Sequence, residues 1–347
     1  MKPVAVIVAA IAAFAAERYI AIDNVCAWPN VKMLADGTLV AVIFNQPGHG
    51  GMEGDVEAWA SRDGGKIWKL AGTPAPHRPG TLRLNHAAGL AHDGSLVVLA
   101  SGRVLEKRND IWLPVVVARS ADAGKTWTRS AQVTLPAGID YLIPFGDIVQ
   151  LSGRRLAASF YHDRRFRAAG SKSEGPLGSR RGSAYVLFSE DDGLSWGNGV
   201  LLGKDDYNET TLLRLGPNRM LAAARTYGDA HLDLLVSEDE GRTWTNRGPV
   251  SMPAQHPANL LRLNDGRILL TYGIRERGNR AVAVRVSSDE GRTWGAPWPI
   301  ATFAGSKDHG YPSAVQLADG TIVTAWYTSA IEGHQRYHMG VLRWKLD

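Results

Sequence analysis

The chain has 347 residues, 44% hydrophobic and 21% charged, with a formal net charge of +5 and a pI near 9.3. That composition belongs to a soluble globular protein with enough apolar material for a large core, and all-β architectures often use this length for one domain. A single cysteine, Cys26, excludes an intrachain disulfide and a cysteine-based zinc site within one chain. The mild positive charge favours an anionic ligand, while the absence of a basic run or a known binding module speaks against nucleic acid.

The N-terminus, MKPVAVIVAAIAAFAAERYI, has a short positive region at Lys2, an apolar run from Val4 to Ala16 and a small-x-small site at Ala13-Phe14-Ala15. Residues 1–16 read as a secretory signal peptide, too short for a spanning helix, and predict a secreted or periplasmic protein. After cleavage no stable membrane insertion is expected. Residues 17–347 read as a single domain.

Two repeats alternate along the remainder. The first is an apolar-polar alternation around Leu-x-Asp-Gly, seen at Asp36-Gly37, Asp93-Gly94, Asp265-Gly266 and Asp319-Gly320, with weaker copies at Ser152-Gly153 and Gly216. Alternation flanking such a turn predicts a β-hairpin. The second is the eight-residue motif S-x-D-x-G-x-x-W, which begins at Ser61, Ser120, Ser189, Ser237 and Ser287. Its Ser and Asp suit a tight turn by bonding backbone N–H groups, its Gly tolerates positive φ, and its Trp packs beside the hairpin. The motif aspartates are therefore structural and not catalytic.

Each of the first five alternating hairpins is followed by one motif hairpin, and two hairpins make a four-stranded blade. The result is a six-bladed β-propeller. Its sixth blade has no motif copy and is completed by a third strand from Tyr337 to Leu346 and an outer strand from Arg18 to Ile22. The Gly/Ser/Arg-rich stretch from Ala168 to Gly182 reads as a loop insertion.

The strand starts before the Asp-Gly hairpins should ring the channel on one face. They carry Trp28, Asn30, Arg83, Asn85, His86, Tyr141, Asp147, Tyr207, Asn208, Glu209, His256, Asn259, His309 and Tyr311. Aromatic rings stack on sugar faces and polar groups hold hydroxyls, so this mouth predicts a glycan site.

The motif copies resemble the Asp-boxes (BNR repeats) of the sialidase, or neuraminidase, superfamily over essentially residues 17–347. Asn208-Glu209-Thr-Thr-Leu followed by Ala222-Ala-Ala-Arg225 is similar to the segment in which a Glu acts as base to a nucleophilic tyrosine and an Arg clamps the substrate carboxylate. Gly310-Tyr311-Pro312-Ser313 resembles the nucleophile segment, and Arg280 to Ser287 the segment of another clamp arginine. The resemblance thus implies Tyr311 as nucleophile, Glu209 as its base, and Arg225 with Arg280, or its competitor Arg275, as the clamp. Tyrosine suits a 2-keto sugar acid, whose carboxylate would repel an anionic nucleophile.

Two departures stand out. Where the family opens its first blade with a clamp arginine, this chain has Cys26-Ala27-Trp28-Pro29, leaving Ala27 at that position unless Arg83 or another residue substitutes in space. The family's acid/base aspartate lies on a loop corresponding here to Gln46–Asp55, where Asp55 and Glu53 rank level and His49 also qualifies by chemistry. The expected activity is exo-glycosidic release of a terminal acidic sugar, sialic acid or a related 2-keto-3-deoxy acid, with no cofactor and no metal. The substrate-binding set is Arg225, Arg280, Arg275, Trp28, Arg83, His49, His86 and His309. The rival expectations are a lyase or other glycosidase acting on a uronic-acid-containing glycan through Tyr311 and one of His49, His86, His256 or His309, and a non-catalytic glycan-binding propeller.

Overall fold

The computed structural model describes residues 17–105, 111–163, 167–168, 182–203, 207–303, 308–329 and 331–346. The expected signal peptide and almost all of the expected insertion lie outside the described residues.

The Asp-Gly turns form as their chemistry requires. The carboxylates of Asp36, Asp93, Asp265 and Asp319 each accept the N–H two residues on, at 2.8–3.0 Å, and the following glycines take positive φ. In the S-x-D-x-G-x-x-W turns, Ser120 Oγ accepts the Gly124 N–H at 2.9 Å and donates to Asp122 at 2.8 Å. Asp122 in turn accepts the N–H groups of Lys125 and Thr126. The same serine and aspartate bonds recur at Ser61, Ser189, Ser237 and Ser287. Trp68, Trp127 and Trp244 close their turns by donating from Nε1 to the motif glycine's carbonyl.

Those turns link the strands into six four-stranded antiparallel blades among the described residues. Blade 1 runs Asn30–Met33, Leu39–Phe44, Val56–Ser61, Lys69–Ala75, and blade 2 runs Thr81–Leu90, Leu96–Val104, Ile111–Ser120, Thr128–Ser130. Blade 3 comprises Ile143–Gln150, Leu156–Asp163, Gly182–Ser189 and Gly197–Gly203; blade 4 comprises Tyr207–Arg214, Met220–Thr226, Leu232–Ser237 and Thr245–Pro249. Blade 5 is built from Gln255–Arg262, Ile268–Ile274, Ala281–Ser287 and Trp298–Thr302. Blade 6 takes His309–Gln316, Ile322–Thr328 and His338–Trp344 from the end of the chain and its outer strand, Glu17–Asp23, from the start. This closing pair covers an edge that would otherwise template aggregation, and Arg343 reaches Glu17 across it at 2.9 Å.

Apolar faces of neighbouring blades pack against each other, so the core is a set of wedges between sheets. Fully buried Leu39, Ile43, Leu96 and Leu99 are typical, each stabilising the ring by roughly 1.5–3 kcal/mol. Between blades 2 and 3 the innermost strands touch directly: Ala87, Ala88 and Gly89 pair in parallel with Gly146, Asp147 and Ile148. A Cβ at Gly89 would lie 2.2 Å from the Ile148 carbonyl oxygen, so only glycine permits that approach.

The axis itself is bound shut by polar groups. Asp147 pairs with Lys32 of blade 1 and accepts from Thr211 of blade 4 at 3.1 Å and Asn259 of blade 5 at 2.8 Å. Asn259 then accepts the Ala314 N–H of blade 6 at 3.0 Å. Asp147 and Asn259, expected among the ligand-facing residues, instead tie blades together.

The feature that positions the site is a register irregularity at the head of five inner strands. It falls between Arg83 and His86, Phe145 and Ile148, Tyr207 and Thr210, Gln255 and Ala258, and Gly310 and Ser313. A bulge re-aims the side chains it contains. Glu209 and Tyr311 both lie inside these bulges.

Candidate active site

On the mouth where the bulges lie, a cavity of about 440 Å³ is lined by Trp28, His49, Asn85, Arg103, Trp112, Tyr161, Asp163, Asn208, Glu209, Arg225, Tyr227 and Tyr311, among others. At its floor, Tyr311 Oη donates a hydrogen bond to Glu209 Oε1. The other oxygen of that carboxylate accepts from Arg225 Nη1 at 2.6 Å. Glu209 is 5% exposed, so its charge is balanced by these two partners and not by water.

Tyr311 adopts φ +50°, the left-handed region that a bulky residue enters only when its surroundings compel it. Its ring is enclosed by Phe145, Trp28 and Tyr327 at centroid separations of 5.9, 6.3 and 5.6 Å. Burial pushes the phenol well above its ordinary pKa, and the Glu209 charge pushes it further, against Arg225 and Arg275. The phenol is therefore neutral at rest and needs a base to become a nucleophile. Burial alone would lower Arg225, but Glu209 outweighs it and holds the guanidinium charged.

Arg275, not Arg280, is the second arginine at this centre. Its guanidinium lies 5.3 Å from the Tyr311 ring centroid and donates to the His309 carbonyl at 2.7 Å. Neither Arg275 nor Arg280 lines the cavity, so it is the contact with the Tyr311 ring that distinguishes them; the Arg280 carbonyl accepts the Phe303 N–H. Arg83 turns outward to the Pro114 carbonyl at 2.7 Å, and burial lowers its pKa to about 10. The basic group from blade 2 that does line the cavity is Arg103, which donates to the Gly50 carbonyl and lies over Trp112. No motif in the sequence marked it, since it ends an ordinary strand.

Ala27 is fully buried, and Trp28 forms the adjoining wall with φ +46°, stacked on Phe44 at 5.4 Å. His86 lines a narrow void of about 30 Å³ that adjoins the cavity through Trp28, Asn85 and Tyr311, its ring nitrogens 3.0 Å from the Leu84 and Val42 carbonyls. Burial lowers its pKa to about 4. His309 is buried against Phe303 with Nε2 at 2.8 Å from the Ile274 carbonyl. It supports Arg275 through its own carbonyl.

Asp55 and Glu53 are held away from the cavity by His77. Asp55 Oδ1 accepts the His77 N–H at 2.6 Å and lies 2.7 Å from Nδ1, while Glu53 Oε2 lies 3.3 Å from Nε2 and Oε1 accepts the Gly80 N–H. From the same loop it is His49 that lines the cavity, with Nδ1 3.2 Å from Asp308 Oδ2. Cys26 lies near this pair, giving three groups of metal-ligating type. Burial and the Asp308 charge push the Cys26 thiol far up, however, so it is held protonated. Asp308 is already engaged by His49, Tyr327 and Tyr337. Both Asp308 oxygens are thus engaged by protein side chains.

A ring of four-stranded blades carrying S-x-D-x-G-x-x-W turns defines the class: a BNR-repeat β-propeller. The profile described as the BNR repeat-like domain matches residues 32–324, and the chain belongs to that family. Among solved structures it is similar to a protein of unknown function from Dyadobacter fermentans, with 21% identity and a TM-score of 0.75 over 94% of this chain and 98% of that one. It is also similar to the Hadza microbial sialidase Hz136, at 17% identity and TM-score 0.68 over 92% of this chain and 65% of that one. The NanB sialidase from Streptococcus pneumoniae gives 11% identity and TM-score 0.69 over 94% and 70%. Among curated proteins none matches. No helix among the described residues is long and apolar enough to cross a membrane.

Proposed function

We propose that this protein is an exo-acting glycoside hydrolase that releases a terminal acidic sugar, sialic acid or a related 2-keto-3-deoxy acid, from glycans. The observation that carries the reading is the hydrogen-bonded chain Tyr311–Glu209–Arg225 facing a cavity of sugar size. Tyr311 attacks the anomeric carbon as Glu209 takes its proton, and a neutral phenol avoids repulsion by the substrate carboxylate. Arg225 and Arg103 line the cavity as cations for that carboxylate, and aromatic Trp28, Trp112 and Tyr161 offer faces for the ring.

Of the histidines open to the lyase alternative, His86, His256 and His309 are all buried, with burial holding His256 far below the usual imidazole range, which leaves that reading His49 alone on the cavity wall. The reading includes export, with residues 1–16 removed and 17–347 acting as one domain on extracellular or periplasmic glycans.

The test is hydrolysis of the 4-methylumbelliferyl glycoside of N-acetylneuraminic acid by the wild type and Tyr311→Phe. The phenylalanine variant should lose at least about 10³-fold in kcat while folding normally. Turnover unchanged in Tyr311→Phe rejects the tyrosine mechanism, and saturable sugar binding without wild-type turnover favours a glycan-binding propeller.

A further inference from the structure

Hydrolysis at Tyr311 needs a second proton-transfer group to protonate the leaving oxygen and later to deprotonate water. Asp55 and Glu53 are committed to His77 and do not line the cavity. On the cavity wall, His49 has Nδ1 occupied by Asp308 and its ring set edge-on to Trp28 at a centroid distance of 4.9 Å. Its side chain is 57% exposed, so the ring stands where the leaving group and water have access.

Asp308 is itself fixed. Tyr327 Oη donates to Oδ1 at 2.5 Å and Tyr337 Oη donates to Oδ2. Burial alone would raise the Asp308 carboxyl, but the bonds from His49, Tyr327 and Tyr337 outweigh it and keep it ionised. A carboxylate on Nδ1 selects the tautomer that keeps the proton there, leaving Nε2 to accept a proton and give it up. Trp28 also touches Tyr311, so the imidazole and the phenol share one aromatic wall.

We propose that His49 is the general acid/base of this enzyme and that Asp308 is its positioning residue; the assignment rests on the Tyr311 hydrolase reading. In the first step Tyr311 Oη bonds to the anomeric carbon and its proton passes to Glu209. The glycosidic C–O bond breaks, and its electron pair stays on the leaving oxygen, which takes the proton from protonated His49. In the second step His49 removes a proton from water as the water oxygen bonds to the anomeric carbon. The C–O bond to Tyr311 then breaks, and the phenolate recovers its proton from Glu209.

The experiment compares the full-length wild type with His49→Ala on two probes: the 4-methylumbelliferyl sialoside, whose leaving group needs little protonation, and sialyllactose, whose alcohol leaving group needs it fully. His49→Ala should lose about 10²–10⁴-fold in kcat/KM on sialyllactose and less than about tenfold on the aryl glycoside. Azide, which needs no general base, should raise turnover of the aryl glycoside by the variant. Asp308→Asn should lower kcat with the same leaving-group bias and little change in KM, a split that a purely structural defect would not produce. Equal losses on both probes, or none, with an active wild type overturn the His49 assignment alone. A wild type inactive on both probes overturns the sialoside-hydrolase reading beneath it, and the His49 assignment with it.

Discussion

Tyr311 donates its phenolic proton to a glutamate 102 residues earlier in the chain, Glu209, on a blade two places round the ring. The bond exists because both residues sit in bulges at the heads of inner strands, where the extra residue turns a side chain toward the mouth. The pair is buried, so in the proposed mechanism the proton would move within a fixed geometry and not through solvent.

Replacing the base while keeping its shape separates proton transfer from packing. Glu209→Gln retains an oxygen for Tyr311 but cannot take its proton, so kcat should fall by about 10²–10⁴-fold. The same change leaves Arg225 facing a neutral amide in a partly buried site, so the melting temperature should also fall. Steady-state kinetics beside thermal unfolding would show both; a variant of wild-type activity would remove Glu209 from the mechanism.

The loop between residues 46 and 55 offers the complementary control. Glu53 is half exposed and, among the described residues, paired with His77 and the Gly80 N–H, a contact of the kind worth about 0–1 kcal/mol. Glu53→Gln should therefore leave kcat/KM within about fivefold of wild type. Asp55→Asn loosens the loop through His77, so it should raise KM more than it lowers kcat. A collapse of kcat in either variant, with KM preserved, would return the acid/base role to that carboxylate.

The fold was legible because its instructions are local. Ser120, Asp122, Gly124 and Trp127 make their bonds within eight residues, so the turn can be read from spacing alone. Glu209, Arg225 and Tyr311 were legible through the segments that carry them. The second arginine was not, since Arg275 and Arg280 flank one loop and only the packing of Tyr311 distinguishes them. His49 and Asp308 lie 259 residues apart and meet only when the first and sixth blades close the ring. Arg103 is similar: its role depends on Gly50 and Trp112, neither of which carries a motif.

The motif aspartates should make stability acid-sensitive. Asp122 and Asp289 have pKa values lowered to about 2 from 3.8, Asp122 first by the Thr126 N–H and Asp289 first by the Thr293 hydroxyl. A carboxylate with a depressed folded-state pKa contributes stability that is fully present above its unfolded value and lost as pH falls through its folded value. The window is therefore about pH 4 down to about pH 2. The double variant Asp122→Asn/Asp289→Asn keeps acceptors in the turns but carries no charge there. In denaturant titrations the wild type should exceed it in stability at pH 5, and the gap should close towards pH 2. A gap independent of pH would mean that the turns gain nothing from ionisation.

Ala27 supplies the sharpest test of how the proposed carboxylate clamp differs from the one the family resemblance implies. The family resemblance places an arginine there, and restoring it by Ala27→Arg is the obvious way to strengthen substrate binding. The structure predicts the opposite. Ala27 is fully buried among Val25, Cys26, Phe44 and Trp28, and its carbonyl is tied to the Phe44 N–H at 2.8 Å. A guanidinium would have to enter an apolar wall already filled by Trp28, costing at least about 3 kcal/mol for an uncompensated buried charge in addition to the overpacking. Ala27→Arg should therefore lower the melting temperature and reduce kcat/KM together. The cavity-lining cation on the other side, Arg103, should be the one whose loss shows in binding: Arg103→Met keeps an aliphatic stem but removes the guanidinium that lies over Trp112, and should raise KM for an acidic sugar while changing KM little for a neutral analogue lacking the carboxylate. If Ala27→Arg instead folds well and lowers KM, Trp28 is displaceable and the wall retains room for a third arginine.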